Sequence, residues 1–329
     1  MDINRSFPYE EGFRVMNLLG AEGRDFLFVI SYDRSEIVLY DLHDLPQSLL
    51  FHIEGFEKSS CEEPESHPPR LFISPPSFEE YLEAMRRVKE EIAAGNTYLL
   101  NLTFPTAVEL EPGLSLRDIY NYARAPYKLY IEDRFVCFSP ESFVRISQNL
   151  IRTYPMKGTI DASVECAYDK IVSNPKEIAE HTMIVDLMRN DLNMVGYDTK
   201  VEKFRYVHKI AAGERELLQV SSSIRSRLGS GWRARIGDIF RTLTPAGSIS
   251  GTPKKSTLAI IEEIEGYERG FYTGVFGICS GERVESAVMI RYIEYENGNY
   301  IYKSGGGVTI ESDPVSEYEE LIAKIYIPF

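Results

Sequence analysis

The chain has few cysteines, none of them placed to bind metal, and no long apolar run. Cys61, Cys137, Cys166 and Cys279 lie far apart, with no C-x-x-C pair and no Cys/His cluster of the kind zinc requires. They read as reduced thiols. No stretch reaches the ~18 consecutive apolar residues of a membrane-spanning helix, and Met1-Asp2-Ile3-Asn4-Arg5 lacks the basic-then-apolar order of a secretory leader. The expectation is a soluble cytoplasmic chain. Basic residues are also outnumbered, 36 Lys and Arg against 50 Asp and Glu, a net charge of -14 that opposes binding to nucleic acid or an anionic membrane. What is present is an ordinary globular composition, 329 residues with 43% hydrophobic, enough for one large core or two medium ones.

Short apolar runs broken by polar turns over residues 24–56 predict strands of a meander. Residues 57–76, rich in Ser, Glu and Pro, read as a linker. Ser77-Phe78-Glu79-Glu80 is a capping box opening a helix with Tyr81, Met85, Val88 and Ile92 on one face and Gly95 as its stop. A strand is expected at 97–103, and short strands over 134–170. Ser173-Asn174-Pro175 caps a helix over 176–194. Further strands are expected at 217–224, 271–279, 286–294 and 300–303, and a last helix from Asp313-Pro314 to about Ile325. Many strands with a few long helices, in no βαβ alternation, predict an α+β chain of mixed sheets covered by helices. The domain division expected is a short β-rich portion, 1–76, packed on a core of 77–329.

Two pairs of glutamates, Glu177/Glu180 and Glu317/Glu320, have i,i+3 spacing, so each pair shares a helix face. Their place in the first turns also suits the helix dipole, so spacing alone favours solvated surface acids over a metal site. As ligands they offer oxygen only, the set Mg²⁺ prefers. His181 is not part of a Glu-x-x-His pair, because Ile178 stands three before it, which argues against a di-iron bundle. Lys157, in Pro155-Met156-Lys157-Gly158-Thr159, is either a surface turn lysine or a nucleophile. The second role needs the neutral amine that burial or a nearby cation favours. The loop Gly247 to Lys254 fails the phosphate-loop test, since Thr252 and Pro253 separate Gly251 from Lys254. Gly305-Gly306-Gly307 permits close backbone approach or a tight turn. Arg291 is a charge in an otherwise apolar strand run, suited to gripping a carboxylate.

From about Ser77 to the C-terminus these stretches resemble the chorismate-utilising enzymes, the family of anthranilate synthase component I, aminodeoxychorismate synthase component I and isochorismate synthase. The likeness is carried by the block Lys176 to Asp191, the Gly247 to Lys254 loop, and Gly305-Gly306-Gly307 through Asp313-Pro314 to Glu320 and Lys324. It implies the family's sandwich of large, mostly antiparallel sheets covered by helices. It also implies that Glu180 and Glu320 contact Mg²⁺, with Glu177 and Glu317 acting mostly through water. Arg291 and Tyr272 would hold the enolpyruvyl carboxylate of chorismate, and Gly158, Thr159, Ser248, Gly307 and Lys324 would line the pocket.

Two positions place the chain among the family's branches. Anthranilate synthases carry alanine where this chain has Lys157, and lysine there looks like aminodeoxychorismate synthase. The lysine that activates water in the isochorismate enzymes corresponds to Leu99, so water addition is expected to be disabled. The resemblance thus implies attack by Lys157 on chorismate, then amination to 4-amino-4-deoxychorismate for 4-aminobenzoate and folate. Ammonia would come from solution or from a separate glutamine amidotransferase subunit, since nothing in the sequence resembles a glutaminase nucleophile elbow. The alternatives are an anthranilate-type aminase and a non-catalytic chorismate-binding regulatory subunit. Gln219 stands where the family has histidine, after an apparent insertion over 209–216, and tryptophan binding cannot be assumed.

Overall fold

The computed structural model describes residues 3–59, 69–212 and 215–328. Among these residues two antiparallel sheets stack face to face with helices on both outer surfaces. The ten-stranded sheet runs in the order 5–8, 36–41, 26–30, 275–280, 283–288, 142–147, 150–153, 215–227 and 156–161. Its tenth strand, Tyr197–Ala212, also pairs with Arg215–Arg227. The nine-stranded sheet runs 251–252, 99–110, 299–308, 292–296, 135–139, 127–131, 49–53 and 56–58, with Leu71–Ser74 paired to Leu99–Leu110. The expected sandwich is therefore observed, and it is antiparallel in every pairing described.

Side-chain alternation explains the layers. In the fully buried strand Phe26–Ile30, Phe26, Phe28 and Ile30 face the helices Tyr9–Ala21 and Ile236–Leu243 and pack on Phe13, Met16 and Phe240. Leu27 and Val29 face the second sheet and meet Leu49, Phe51 and Phe276. A strand buried on both faces reads as a continuous apolar run, as this one does. The outer face of the nine-stranded sheet is closed by Leu116–Tyr122 and the C-terminal Ile325 and Ile327, and by the helices Phe78–Ala93, Lys254–Glu265 and Pro314–Ala323.

Several expectations need correction. Residues 24–56 do not form one meander, because 26–30 and 36–41 join the first sheet while 49–53 joins the second. Consequently strands from before residue 76 are hydrogen-bonded into both sheets. The linker contains strands at 56–58 and 71–74, and residues 60–68, with Cys61, lie outside the described residues. The run 286–294 is two strands belonging to different sheets. It breaks at residues 289–291, where Arg291 adopts φ 54°, so Arg291 stands at a crossover rather than within a strand. Residues 271–274 are turn, and the strand begins at Val275. Gly305 to Gly307 are not a tight turn either but lie inside the strand Asn299–Val308. A Cβ on Gly305 would come within 2.4 Å of the Leu102 carbonyl oxygen, which explains the glycine there. The apparent insertion is the outer part of a long hairpin in which Ala212 pairs with Arg215, residues 213–214 being outside those described.

The capping predictions hold. Ser77 and Glu80 form the reciprocal box on Phe78–Ala93, Pro175 starts the helix Pro175–Val195, and Asp313 caps Pro314–Ala323 by accepting from the Ser316 N–H. The helices Tyr9–Ala21, Ala167–Ser173, Ile236–Leu243 and Lys254–Glu265 were not anticipated. At the centre of the first core Phe240 stacks edge-on against Phe28, with ring centroids 4.6 Å apart. Phe240→Ala is expected to destabilise the protein by about 3–5 kcal/mol, read as a lower denaturation midpoint at unchanged slope.

Candidate active site

Where the edge of one sheet meets the edge of the other, a cavity of about 530 Å³ opens between them. The strand Met156–Asp161, the helix Pro175–Val195 and the Gly247 loop supply one side. The strand Asn299–Val308, the helix Pro314–Ala323 and the crossover at Arg291 supply the other. All twelve residues expected at the site line this cavity: Lys157, Gly158 and Thr159; Glu177 and Glu180; Ser248; Tyr272 and Arg291; Gly307; Glu317, Glu320 and Lys324.

Local structure explains the placement. Gly158, at φ 86°, interrupts the pairing of its strand with Arg215–Arg227, whose register shifts between Met156 and Thr159. A Cβ there would meet the Glu177 carboxylate at 3.2 Å. Lys157 Nζ lies 3.3 Å from Glu180 Oε2. It also lies 3.3 Å from where a Cβ on Gly307 would sit, and Leu99 Cδ1 is 3.3 Å from the same point. Lysine and leucine therefore flank one bare stretch of backbone. On the opposite wall Lys324 Nζ is 2.6 Å from Glu320 Oε1 and donates to the Gly305 carbonyl at 2.8 Å, while Ser312 donates to Glu317 at 2.7 Å.

One site residue went unanticipated. Glu141 follows Pro140 in the turn after Phe135–Ser139 and accepts a hydrogen bond from Ser248 Oγ at 2.6 Å. Burial raises its pKa, against the opposing influence of Ser248, Lys157, Arg291 and Lys324. Its carboxyl is thus shifted towards the protonated form. Lys324 is shifted the other way, its pKa lowered by burial in spite of Glu320. Burial, then Arg205 and Lys157, lower His181 to about 4, so this imidazole is neutral. Its Nε2 is 2.6 Å from Ser222 Oγ, a structural tie between helix and sheet rather than a cavity-lining group. Arg291 packs over Tyr326, and its buried Nε has no hydrogen-bond partner, which suits an incoming anion.

The remaining motif residues brace the cavity. Lys254 Nζ donates to Asp191 at 3.1 Å and to the Leu243 carbonyl at 3.0 Å, pinning the Gly247 loop to the long helix. Arg269 and Glu265, each side chain 1% exposed, form an ion pair at 2.6 Å. The same guanidinium donates to the carbonyls of Ile249 and Asn101, two residues of the cavity wall.

All four glutamates thus reach the cavity from two helices, and their oxygen donors suit a hard dication such as Mg²⁺ that keeps part of its water shell. Two of them already hold ammonium groups in a cation's stead. Among the described residues, however, no three acidic side chains are close enough together to cage an ion.

The chain belongs to the chorismate-binding enzymes, whose family model matches residues 26–328. It is therefore a member of a family of enzymes that act on chorismate. It is 45% identical over 314 residues to an uncharacterized PabA-like protein of Haemophilus influenzae, covering 95% of this chain and 94% of that one. It is 28% identical to aminodeoxychorismate synthase component 1 of Bacillus subtilis, covering 97% of this chain and 73% of the relative. In fold it matches the crystal structure of anthranilate synthase component I from Streptococcus pneumoniae with a TM-score of 0.70 at 20% identity, over 92% of this chain and 80% of the other. Among the described residues no helix is long and apolar enough to cross a membrane.

Arg269→Met would leave Glu265 buried without its partner. The expected cost is about 3–5 kcal/mol of stability, with a rise in substrate KM as the Asn101 and Ile249 walls relax. Thermal unfolding and steady-state kinetics on the same preparation would check both.

Proposed function

We propose that this chain is the chorismate-aminating component of an aminodeoxychorismate synthase, converting chorismate and ammonia to 4-amino-4-deoxychorismate. The observation that carries the reading is the placement of Lys157 Nζ in the cavity lining, next to Gly307 where Leu99 also ends. The cavity thus has an amine at this point, and the side chain that meets it there cannot activate water.

In the proposed chemistry Arg291 and Tyr272 orient the enolpyruvyl carboxylate. Lys157 attacks C2 of the ring with its neutral amine as both ring double bonds shift and the C4 hydroxyl leaves. Glu141 delivers the proton that lets that hydroxyl depart as water. The lysine is then bound covalently through C2 as a secondary ammonium. Ammonia adds at C4, both double bonds return, and the C2–N bond to Lys157 breaks, regenerating the neutral amine and releasing the product. Splitting one hard displacement into two is the gain of the covalent route. Glu180 and Glu320, with Glu177 and Glu317 acting through water, would hold Mg²⁺, which when bound neutralises charge at the ring carboxylate. Gln219 lines the cavity where the family's histidine is expected, and an amide cannot relay a proton as imidazole does. That fits retention of the enolpyruvyl group and argues against the anthranilate-type alternative. Ammonia is assigned to a separate glutamine amidotransferase subunit, in keeping with the "component 1" in the names of the Bacillus subtilis and Klebsiella aerogenes relatives.

Incubation with chorismate, Mg²⁺ and ammonium should yield 4-amino-4-deoxychorismate by mass spectrometry. Anthranilate and pyruvate instead would reject the assignment, and no turnover at all would favour a regulatory subunit. Lys157→Ala should abolish amination while leaving chorismate affinity largely intact, and equal turnover by the variant in saturating ammonium would remove the covalent role. Glu141→Gln should lower kcat by roughly 10²–10⁴-fold, the usual worth of a positioned general acid.

A further inference from the structure

Two polar atoms beside the Arg291 crossover have nothing to bond to. One is Arg291 Nε, and the other is the hydroxyl of Ser304, a cavity-lining residue only 3% exposed; neither atom has a hydrogen-bond partner among the described residues. Buried polar atoms without partners are rare in folded proteins, and each carries a cost in stability that a ligand atom or a bound water removes.

The backbone brings the two residues together. Tyr292 pairs with Lys303 across neighbouring strands, so Arg291 and Ser304 stand one step further along the same pair, where the left-handed turn at Arg291 ends the ladder. Lys303 anchors its strand on one face: Nζ donates to the carbonyls of Glu268 and Arg269, each at 3.1 Å, and pairs with Glu294 at 2.7 Å. Side chains alternate along a strand, so Ser304 faces the other way, with Tyr302. The Tyr302 hydroxyl reaches the carbonyls of Lys324 and Tyr326 at 3.0 and 3.1 Å, and the Arg291 guanidinium lies over the Tyr326 ring, 5.1 Å from its centroid. Ser304 and Arg291 therefore look onto the same stretch of chain.

We propose that Ser304 is a further substrate-binding residue, whose hydroxyl turns about χ1 to donate to the same carboxylate that Arg291 takes through Nε, so that the two side chains clamp the side arm of the ring. The inference rests on the proposed function for the assignment of the enolpyruvyl carboxylate to Arg291. A carboxylate is the group this pair fits, because it accepts several hydrogen bonds at once and both Nε–H and Oγ–H are donors. Turning costs little, since the hydroxyl gives up no bond in the wall. A ring without a charged arm would leave both donors buried and unmet, so Ser304 contributes discrimination between substrates rather than rate.

Calorimetric titration of chorismate into the whole chain, with saturating Mg²⁺ and no ammonium, tests this without turnover. Ser304→Ala removes one oxygen and adds no atom, and should weaken chorismate binding by roughly 10–100-fold, the usual worth of a hydrogen bond to a charged group. Its thermal midpoint should stay level or rise, because an unpaired buried hydroxyl is gone. With ammonium supplied, KM should rise by a similar factor while kcat falls far less. In an Arg291→Lys background, which keeps the charge and loses Nε, Ser304→Ala should cost less than about threefold, since the clamp is already broken. Unchanged chorismate affinity in Ser304→Ala would mean that the hydroxyl holds only water, and overturns the proposal. A lower midpoint with kcat and KM moving together would make Ser304 a structural residue, and the full loss in both backgrounds would put it on some other group; either result also overturns the clamp. Failure of the functional assignment is separable: a chain that yields anthranilate yet loses affinity on Ser304→Ala keeps the clamp and loses the assignment. A chain that yields 4-amino-4-deoxychorismate with affinity indifferent to Ser304 does the reverse.

Discussion

Holding like charges together in one cavity is the constraint on which this site depends. Five glutamates, Glu141, Glu177, Glu180, Glu317 and Glu320, line a single space. Left unpaired, buried carboxylates would protonate or force the walls apart. Four of them have the following local partners. Glu180 and Glu320 have lysines, Glu317 has a serine hydroxyl, and Glu141 accepts from Ser248 and is shifted towards its neutral form. This solution fixes side-chain positions on both walls and sets the starting state from which any ligand must bind.

The scaffold makes such a charge set tolerable by keeping it at an edge. The centres of both sheets are apolar on each face, and the cores formed around Phe28, Phe240 and Phe276 meet the cavity through Leu99, Ile184, Ile249 and Tyr272. Arg291 holds a left-handed backbone at the step from one sheet to the other, a conformation that costs an L-residue about 1 kcal/mol. Beneath it Arg269 ties two wall carbonyls to Glu265. Rigid sheets on either side and a buried cationic brace below leave the lysines as the adjustable parts.

Much of this was legible in the sequence, for identifiable reasons. Helix starts were readable because capping is local: Ser77 with Glu80, Pro175, and Asp313 all act within three residues. The glutamate pairs were readable because long ordered blocks carry them, and Lys157 because it stands in the short turn Pro155 to Thr159. What escaped depends on distant partners. Glu141 is a single acid in a turn, and its significance comes from Ser248, 107 positions away. Gly305 to Gly307 looked like a turn because glycine signals freedom, whereas here it is required by the neighbouring strand at Leu102 and by the open floor of a cavity. The run 286–294 looked like one strand because apolar continuity does not reveal a change of sheet.

Within the proposed chemistry, selectivity between amine and water reduces to which wall carries the nitrogen. Lys157 and Leu99 approach the same point above Gly307 from two strands belonging to different sheets. A lysine at Leu99 would place a second amine opposite the first and add another positive charge to a space whose lysines already occupy two carboxylates. Leucine there keeps that wall apolar and leaves no base to polarise water. Lys157 needs Glu180 as its partner before substrate arrives, and the substrate needs Lys157 without its proton afterwards. Both requirements are met by one flexible side chain between a carboxylate and bare glycine backbone, where a Cβ on Gly307 would press on the ends of Lys157 and Leu99 at 3.3 Å.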